Sequence, residues 1–116
     1  MITLKRPELL ATSSYINGQW LPATEDSVPV HNPATGEVIA SITNHGAAET
    51  RMAIDAAEAA LPAWAGKPAK ERANILRKWF NLVMANQDDL AKILTAEQGK
   101  TLAEAAGEIA YGANYI

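Results

Sequence analysis

Thr95-Ala-Glu-Gln-Gly-Lys-Thr-Leu-Ala-Glu-Ala-Ala-Gly-Glu108 is the stretch on which the reading of this chain turns. Gly99 marks the end of one helix, because glycine enters the left-handed conformation of a helix stop without a Cβ penalty. Thr101 and Glu104 have the spacing of a capping box, in which hydroxyl and carboxylate satisfy each other's orphan amides. A second helix therefore opens directly after the first has stopped. It is rich in Ala and Gly, and each interior glycine costs about 1 kcal/mol relative to alanine. Gly107 and Gly112 thus predict a close approach of something to this helix's backbone. No stop signal follows, so the helix is expected still to run at Ile116, with the chain as the front part of something larger.

Upstream, apolar spacing marks three more helices. Ala53, Ala56, Ala57, Ala60, Leu61 and Trp64 recur at helical period, and Pro62 is expected to bend or break the last turn before Trp64. Ala65-Gly66-Lys67-Pro68 reads as a loop. Ile75, Leu76, Trp79, Phe80 and Val83 form one apolar stripe of a helix that starts at about Ala69. Asn86 has the character of an N-cap for the next helix, with Asp88 and Asp89 in a first turn whose dipole favours negative charge. Leu90, Ile93 and Leu94 continue it.

Nearer the N-terminus the signals are those of strands. Asn17-Gly18, set between apolar residues in Tyr15–Trp20, is the strongest short hairpin signal. Ser27-Val28-Pro29-Val30-His31 alternates weakly, and its proline suits an edge strand. Glu37–Ile42 is a better strand, reached through the turn Asn32-Pro33-Ala34-Thr35-Gly36. The prediction is an α+β chain: a short antiparallel β-meander over about 15–43, then about four α-helices over about 47–116. Residues 1–14 are expected to be a mobile arm, since Pro7 and Thr12-Ser13-Ser14 discourage regular structure.

A length of 116 residues is one domain's worth of chain or a part of one. Bulk comes from three Trp, three Tyr and one Phe only, so an independent core would be modest and marginally stable. The net charge of −3 is mild, and the scattered Lys and Arg make no basic patch for nucleic acid. There is no cysteine, hence no disulfide, thiolate metal site or cysteine nucleophile within these residues. No apolar run reaches the ~18 residues needed to cross a bilayer, and Met1–Ser14 lacks the apolar core of a secretory signal. The expected address is the cytoplasm.

Residues that carry chemistry are few. His31 and His45 stand in loop or strand-end contexts, without the i, i+4 spacing of a helical metal pair. Glu104 and Glu108 share a helix face, but the capping box engages Glu104, and Glu108 reads as solvated or ion-paired. Gly99-Lys100-Thr101 looks like the end of a phosphate loop. That loop needs a glycine five residues upstream and a preceding strand, whereas Leu94 and a helix stand there. Trp64, Trp79 and Phe80 fall at core spacing and read as packing. Residue chemistry alone supplies no catalytic set.

The order of motifs nevertheless resembles a known family. Ile16-Asn17-Gly18-Gln19-Trp20, then Asn32-Pro33-Ala34-Thr35-Gly36-Glu37-Val38-Ile39, is similar to the N-terminus of NAD(P)-dependent aldehyde dehydrogenases. Leu61-Pro62-Ala63-Trp64, Arg72-Ala73-Asn74-Ile75-Leu76-Arg77 and Glu97-Gln98-Gly99-Lys100-Thr101 through Glu108 fit the same pattern. The likeness covers about residues 15–116. Trp79-Phe80-Asn81-Leu82 and Gln87-Asp88-Asp89-Leu90-Ala91 most resemble the succinate-semialdehyde enzymes of that family, the glutarate-semialdehyde enzymes being closely similar. Thr101 stands where that subgroup usually has proline, and both residues suit a helix start.

The resemblance implies residues 15–116 as the partial N-terminal, cofactor-side domain of a chain about four times longer. The parent would oxidise succinate semialdehyde to succinate with NAD or NADP, through a cysteine thiohemiacetal with a glutamate as general base. None of those catalytic residues, and none of the principal cofactor-contacting ones, falls in residues 1–116, so the segment alone is expected to be inactive and to bind no cofactor. Two smaller roles carry over. Carbonyls of Val30 and His31 with the Glu97 carboxylate correspond to a structural monovalent-cation site, and hard cations take oxygen ligands. Gly107, Tyr111 and Tyr115 lie on the helix that borders the family's substrate channel. The parent is expected to be a homo-oligomer that binds neither nucleic acid nor membrane, and the segment to hide its Ala/Gly helix against another copy. The alternative is a small α-helical interaction module that merely shares short motifs.

Overall fold

Two short antiparallel ladders and then four helices make up the computed structural model, which describes residues 2–116. Met1, the first residue of the expected arm, lies outside the described residues. Strands β1 (Tyr15–Ile16) and β2 (Gln19–Trp20) pair around Asn17 and Gly18, whose φ values of 51° and 78° are those of a two-residue hairpin turn. Tyr15 stands opposite Trp20, with ring centroids 5.0 Å apart.

β3 (Ser27–His31) pairs antiparallel with β4 (Val38–Thr43), and Pro29 is tolerated because each strand of a two-stranded ladder is an edge. The α+β class therefore stands, but the strands form two separate ladders rather than one continuous meander. β2 is only two residues long, and Pro22 in the connection that follows lacks the N–H a continued ladder would use.

Helix α1 (Ala47–Ala65) starts where the Glu49 carboxylate accepts the Gly46 N–H at 2.9 Å. It continues through Pro62, so of the expected bend or break there is no break before Trp64. The proline removes one amide donor near the helix end, and the helix is exposed there, so the carbonyl left without a partner faces water. α2 (Ala69–Ala85) and α3 (Gln87–Gln98) meet at Asn86 with no loop between them. Asn86 was expected to cap α3. Instead its Nδ2 donates to the Leu82 carbonyl at 2.7 Å, closing the end of α2.

Gly99 ends α3 at φ +83°, with its N–H on the Thr95 carbonyl at 2.8 Å. α4 (Leu102–Ala113) opens on the predicted box: Thr101 Oγ1 accepts the Glu104 N–H at 3.3 Å, and Glu104 Oε2 accepts the Thr101 N–H at 3.2 Å. The helix does not run to Ile116. It ends at Ala113, and the N–H groups of Tyr115 and Ile116 turn back to the carbonyls of Gly112 and Ala113, each at 3.1 Å.

Within the arm, Pro7–Leu9 form a 3-10 turn. Proline suits the first position of such a turn, where its missing N–H costs nothing.

Packing centres on α3 and α4, with α2 also against α4. The buried apolar residues are Ala91, Ala105 and Ala113, small enough for two helix backbones to approach closely. Gln87 Nε2 adds a hydrogen bond across the pair, to the Ala106 carbonyl at 2.8 Å. The alanine stripe of α1 faces the hairpin: Ala53, Ala56, Ala57 and Ala60 share a groove with residues 15–18. The α2 stripe is split, with Leu76, Phe80 and Val83 half-buried while Ile75 and Trp79 remain exposed. Among the described residues no large side chain is fully buried. The radius of gyration is 16.6 Å, against about 13 Å for a compact domain of this length. This is an open arrangement with a small alanine core.

Candidate functional site

The turn between β3 and β4 is built around Asn32. Its Oδ1 accepts the Ala34 N–H at 2.9 Å, its own N–H reaches the Glu37 carbonyl at 2.8 Å, and its carbonyl takes the Gly36 N–H at 2.7 Å. Pro33 supplies the fixed φ of such a turn, and Gly36, at φ +75°, closes it. The ladder slips register between Val30 and His31, and a bulge of this kind re-aims backbone groups. The His31 ring folds onto its own turn, with Nδ1 3.2 Å from the Gly36 carbonyl.

Glu97 lies exposed in the last turn of α3, two residues before Gly99. A Cβ built on Gly99 would stand 3.0 Å from Pro33 Cγ, so the turn is seated directly on the end of α3. The turn that follows Val30 and His31 thereby meets the end of α3, two residues after Glu97. Beside them is a cavity of about 450 Å³, lined by Asn32, Glu37, Val38, Ile39 and Ala96 together with Ile2 and Leu10 of the arm. Among the described residues no group of three or more His, Cys, Asp or Glu gathers, so a cation here would rest on backbone carbonyls and one carboxylate.

Gly107, Tyr111 and Tyr115 form a second surface, four residues apart along α4 and its C-terminal turn. Ala105, two residues before Gly107, faces α3; two residues turn a helix by about 200°, which sends Gly107 outward. Tyr111 and Tyr115 are 65% and 75% exposed, with their hydroxyls 2.5 Å apart and their rings edge to face. The hydrogen bond shared with Tyr111 raises the Tyr115 phenol above its ordinary pKa. Lys100, Glu104, Gly107, Glu108 and Tyr111 line a shallow groove of about 380 Å³.

Neither glutamate in that groove is free for acid–base work. Glu104 is held by Thr101, whose hydroxyl and amide lower its pKa, and Glu108 is paired with Lys100. No atom outside α4's own local backbone lies within 4 Å of a Cβ built on Gly107 or Gly112. Both glycines are therefore open to approach, and the described residues do not supply the approaching group. Lys100 was missed in the sequence because helical spacing rules do not reach across the non-helical Thr101. Asp89 was read only as a first-turn charge, whereas it is 3% exposed and accepts the Arg6 N–H at 2.8 Å.

A sequence model of the aldehyde dehydrogenase family matches residues 20–116. The chain belongs to the aldehyde dehydrogenase family. This supersedes the reading as an unrelated helical module. The aldehyde dehydrogenase chain is 55% identical over 114 residues to a glutarate-semialdehyde dehydrogenase of Pseudomonas aeruginosa, covering 97% of this chain and 24% of the relative. It is 54% identical to the NADP(+) succinate-semialdehyde dehydrogenase GabD of Escherichia coli, again over 97% of this chain and 24% of the other. The crystal structure of an aldehyde dehydrogenase from Brucella melitensis biovar abortus 2308 matches with a TM-score of 0.95 at 50% identity, over 99% of this chain and 24% of that one. The chain thus spans about a quarter of the length of these relatives. No helix among the described residues is long and apolar enough to cross a membrane.

Proposed function

We propose that these residues are the N-terminal, cofactor-side part of an NAD(P)-dependent dehydrogenase that oxidises succinate semialdehyde to succinate. Glutarate semialdehyde, one methylene longer, is the alternative substrate. The observation that carries the reading is the 54–55% identity to enzymes named for these two semialdehydes, over 97% of the chain. A difference of one methylene is a modest discrimination in any pocket, about 1–3 kcal/mol. The cysteine that would form the thiohemiacetal lies beyond this segment, which contains none. The segment alone is inactive in this reading.

The residues present do not fit a nicotinamide cofactor. Gly99-Lys100-Thr101 is a helix stop followed by a capping box, and the Lys100 ammonium is paired with Glu108. The Glu104 and Thr101 amides that could meet a phosphate are already bonded within the box. No step through the cofactor is derived from these residues.

They do fit a monovalent cation. Two carbonyls at the bulge and one carboxylate are hard oxygen donors, and the seating of Pro33 on Gly99 supports the juxtaposition. Val30, His31 and Glu97 would hold the ion, which would fasten the turn to α3 structurally. A high-resolution map with sodium or potassium present tests this, and a water with ordinary hydrogen-bond distances at that position removes it. Gly107, Tyr111 and Tyr115 would border the path of the semialdehyde, the glycine leaving room and the phenols offering hydrogen bonds.

The parent is read as a cytoplasmic homo-oligomer, whose state light scattering would measure. Steady-state assays of the full-length protein with both semialdehydes and both cofactors decide the function. Turnover is expected with at least one semialdehyde, and its absence with both overturns the reading.

A further inference from the structure

We propose that residues 2–14 are a strap that clamps the β3–β4 ladder onto α3, with the Asp89 carboxylate as its latch. The ladder and the helices share little direct packing. The strap spans the gap and is bonded at both ends. At the ladder end, the Thr12 carbonyl accepts the Thr43 N–H at 3.0 Å, and Ser14 Oγ lies 2.8 Å from His45 Nδ1. At the helix end, Asp89 Oδ2 accepts the Arg6 N–H at 2.8 Å, and Lys92 Nζ donates to the Thr3 carbonyl at 3.2 Å. Ile2 and Leu10 of the strap line one cavity with Asn32, Val38, Ile39 and Ala96.

Asp89 recognises the strap's backbone rather than its side chains. A carboxylate that is 3% exposed needs hydrogen-bond donors, and the Arg6 amide with the Lys92 ammonium at 3.4 Å provides them. The Arg6 guanidinium is turned elsewhere, to Glu8 at 2.8 Å and to Asn86 at 3.4 Å. Lys5 meets the exposed Asp88 at 3.3 Å, in a pair solvated on both sides. Such a surface pair contributes little to holding the strap. The latch therefore tolerates replacement of Lys5 and Arg6 but not of Asp89. This inference does not depend on the cation or on the substrate.

Hydrogen–deuterium exchange on the full-length protein carrying this segment tests it. In Asp89→Ala the amides of residues 3–10 should exchange about tenfold faster or more, while those at the start of α4 keep their protection. The double variant Lys5→Ala/Arg6→Ala should leave the strap within about threefold of wild type, as expected of exposed pairs. Asp89→Asn keeps an acceptor without the charge and should loosen the strap partially, which serves if the alanine variant does not fold. Wild-type protection of residues 3–10 in either Asp89 variant overturns the latch. So does equal acceleration in α4, which would make Asp89 a general stability residue.

Discussion

Replacing Gly99 tests the joint between the Asn-Pro turn and the end of α3. At φ +83° an alanine pays about 1–2 kcal/mol in the left-handed region. Its Cβ would also stand 3.0 Å from Pro33 Cγ, well inside the 3.5–4.0 Å of a favourable carbon contact. Forcing that contact apart adds about 1 kcal/mol or more, as in other overpacked sites. Gly99→Ala should therefore cost ~2–4 kcal/mol in all. The two contributions separate in a Pro33→Ala background. There Cγ is gone, and the nearest turn atom is Pro33 Cβ at 3.9 Å, an ordinary contact. The cost of Gly99→Ala should fall to the backbone part, leaving a coupling of about 1 kcal/mol between the two sites. Urea denaturation of the four proteins, with unchanged slopes, reads each value. Gly99→Asn tolerates the left-handed φ but retains a Cβ, so it isolates the steric part. Equal costs of Gly99→Ala in the two backgrounds, within about 0.5 kcal/mol, would refute the seating of the turn on α3.

Thr101→Ala should destabilise the chain by about 1 kcal/mol and speed amide exchange in the first turn of α4. Thr101→Pro keeps the native φ of −67° but removes the N–H that Glu104 Oε2 accepts as well as the hydroxyl, so it should cost no less than alanine, and urea melts would rank the two. Tyr111→Ala in the full-length enzyme should change KM for the semialdehyde, and an unchanged KM counts against the α4 face as a channel wall. Acid should loosen the strap. At Asp89 burial pushes the pKa up, but hydrogen bonds from the Arg6 and Lys5 backbone and from Lys92 outweigh it and hold the group below its ordinary value. A depressed carboxylate stabilises the fold above its unfolded pKa of about 3.9 and loses that contribution as pH falls through the folded value. Stability should therefore drop below about pH 4, less steeply in Asp89→Asn, as read from urea midpoints against pH.

Local chemistry was legible where a residue's role is settled by its near neighbours. Asn17-Gly18 must turn because both residues take positive φ, Gly99 must stop a helix, and Thr101 with Glu104 must start one. The misreadings arise where a second partner competes. Asn86 serves two helices with no spacer between them, and its side chain bonds back to the Leu82 carbonyl because α2 ends on the same residue that begins α3. Pro62 looked like a break because its cost was judged without its setting, a solvated helix near its end. Asp89 could not be placed at all, since its partner amide on Arg6 is 83 residues away and leaves no pattern in the side chains.

The two tethers explain how a chain with so small a core still holds its β3–β4 ladder against α3. α3 and α4 are held by Ala91, Ala105 and Ala113, but that interface does not include Val30 or His31. The ladder reaches α3 through Pro33 on Gly99 and through the strap bonded to Asp89, two contacts of different chemistry at opposite ends of one helix. If each restrains the ladder independently, losing either should leave the other able to hold it. If they act as one clamp, Gly99→Ala should loosen residues 3–10 as well as the turn. Exchange at the Arg6 amide in Gly99→Ala distinguishes these cases, and independent tethers require it to stay at the wild-type rate.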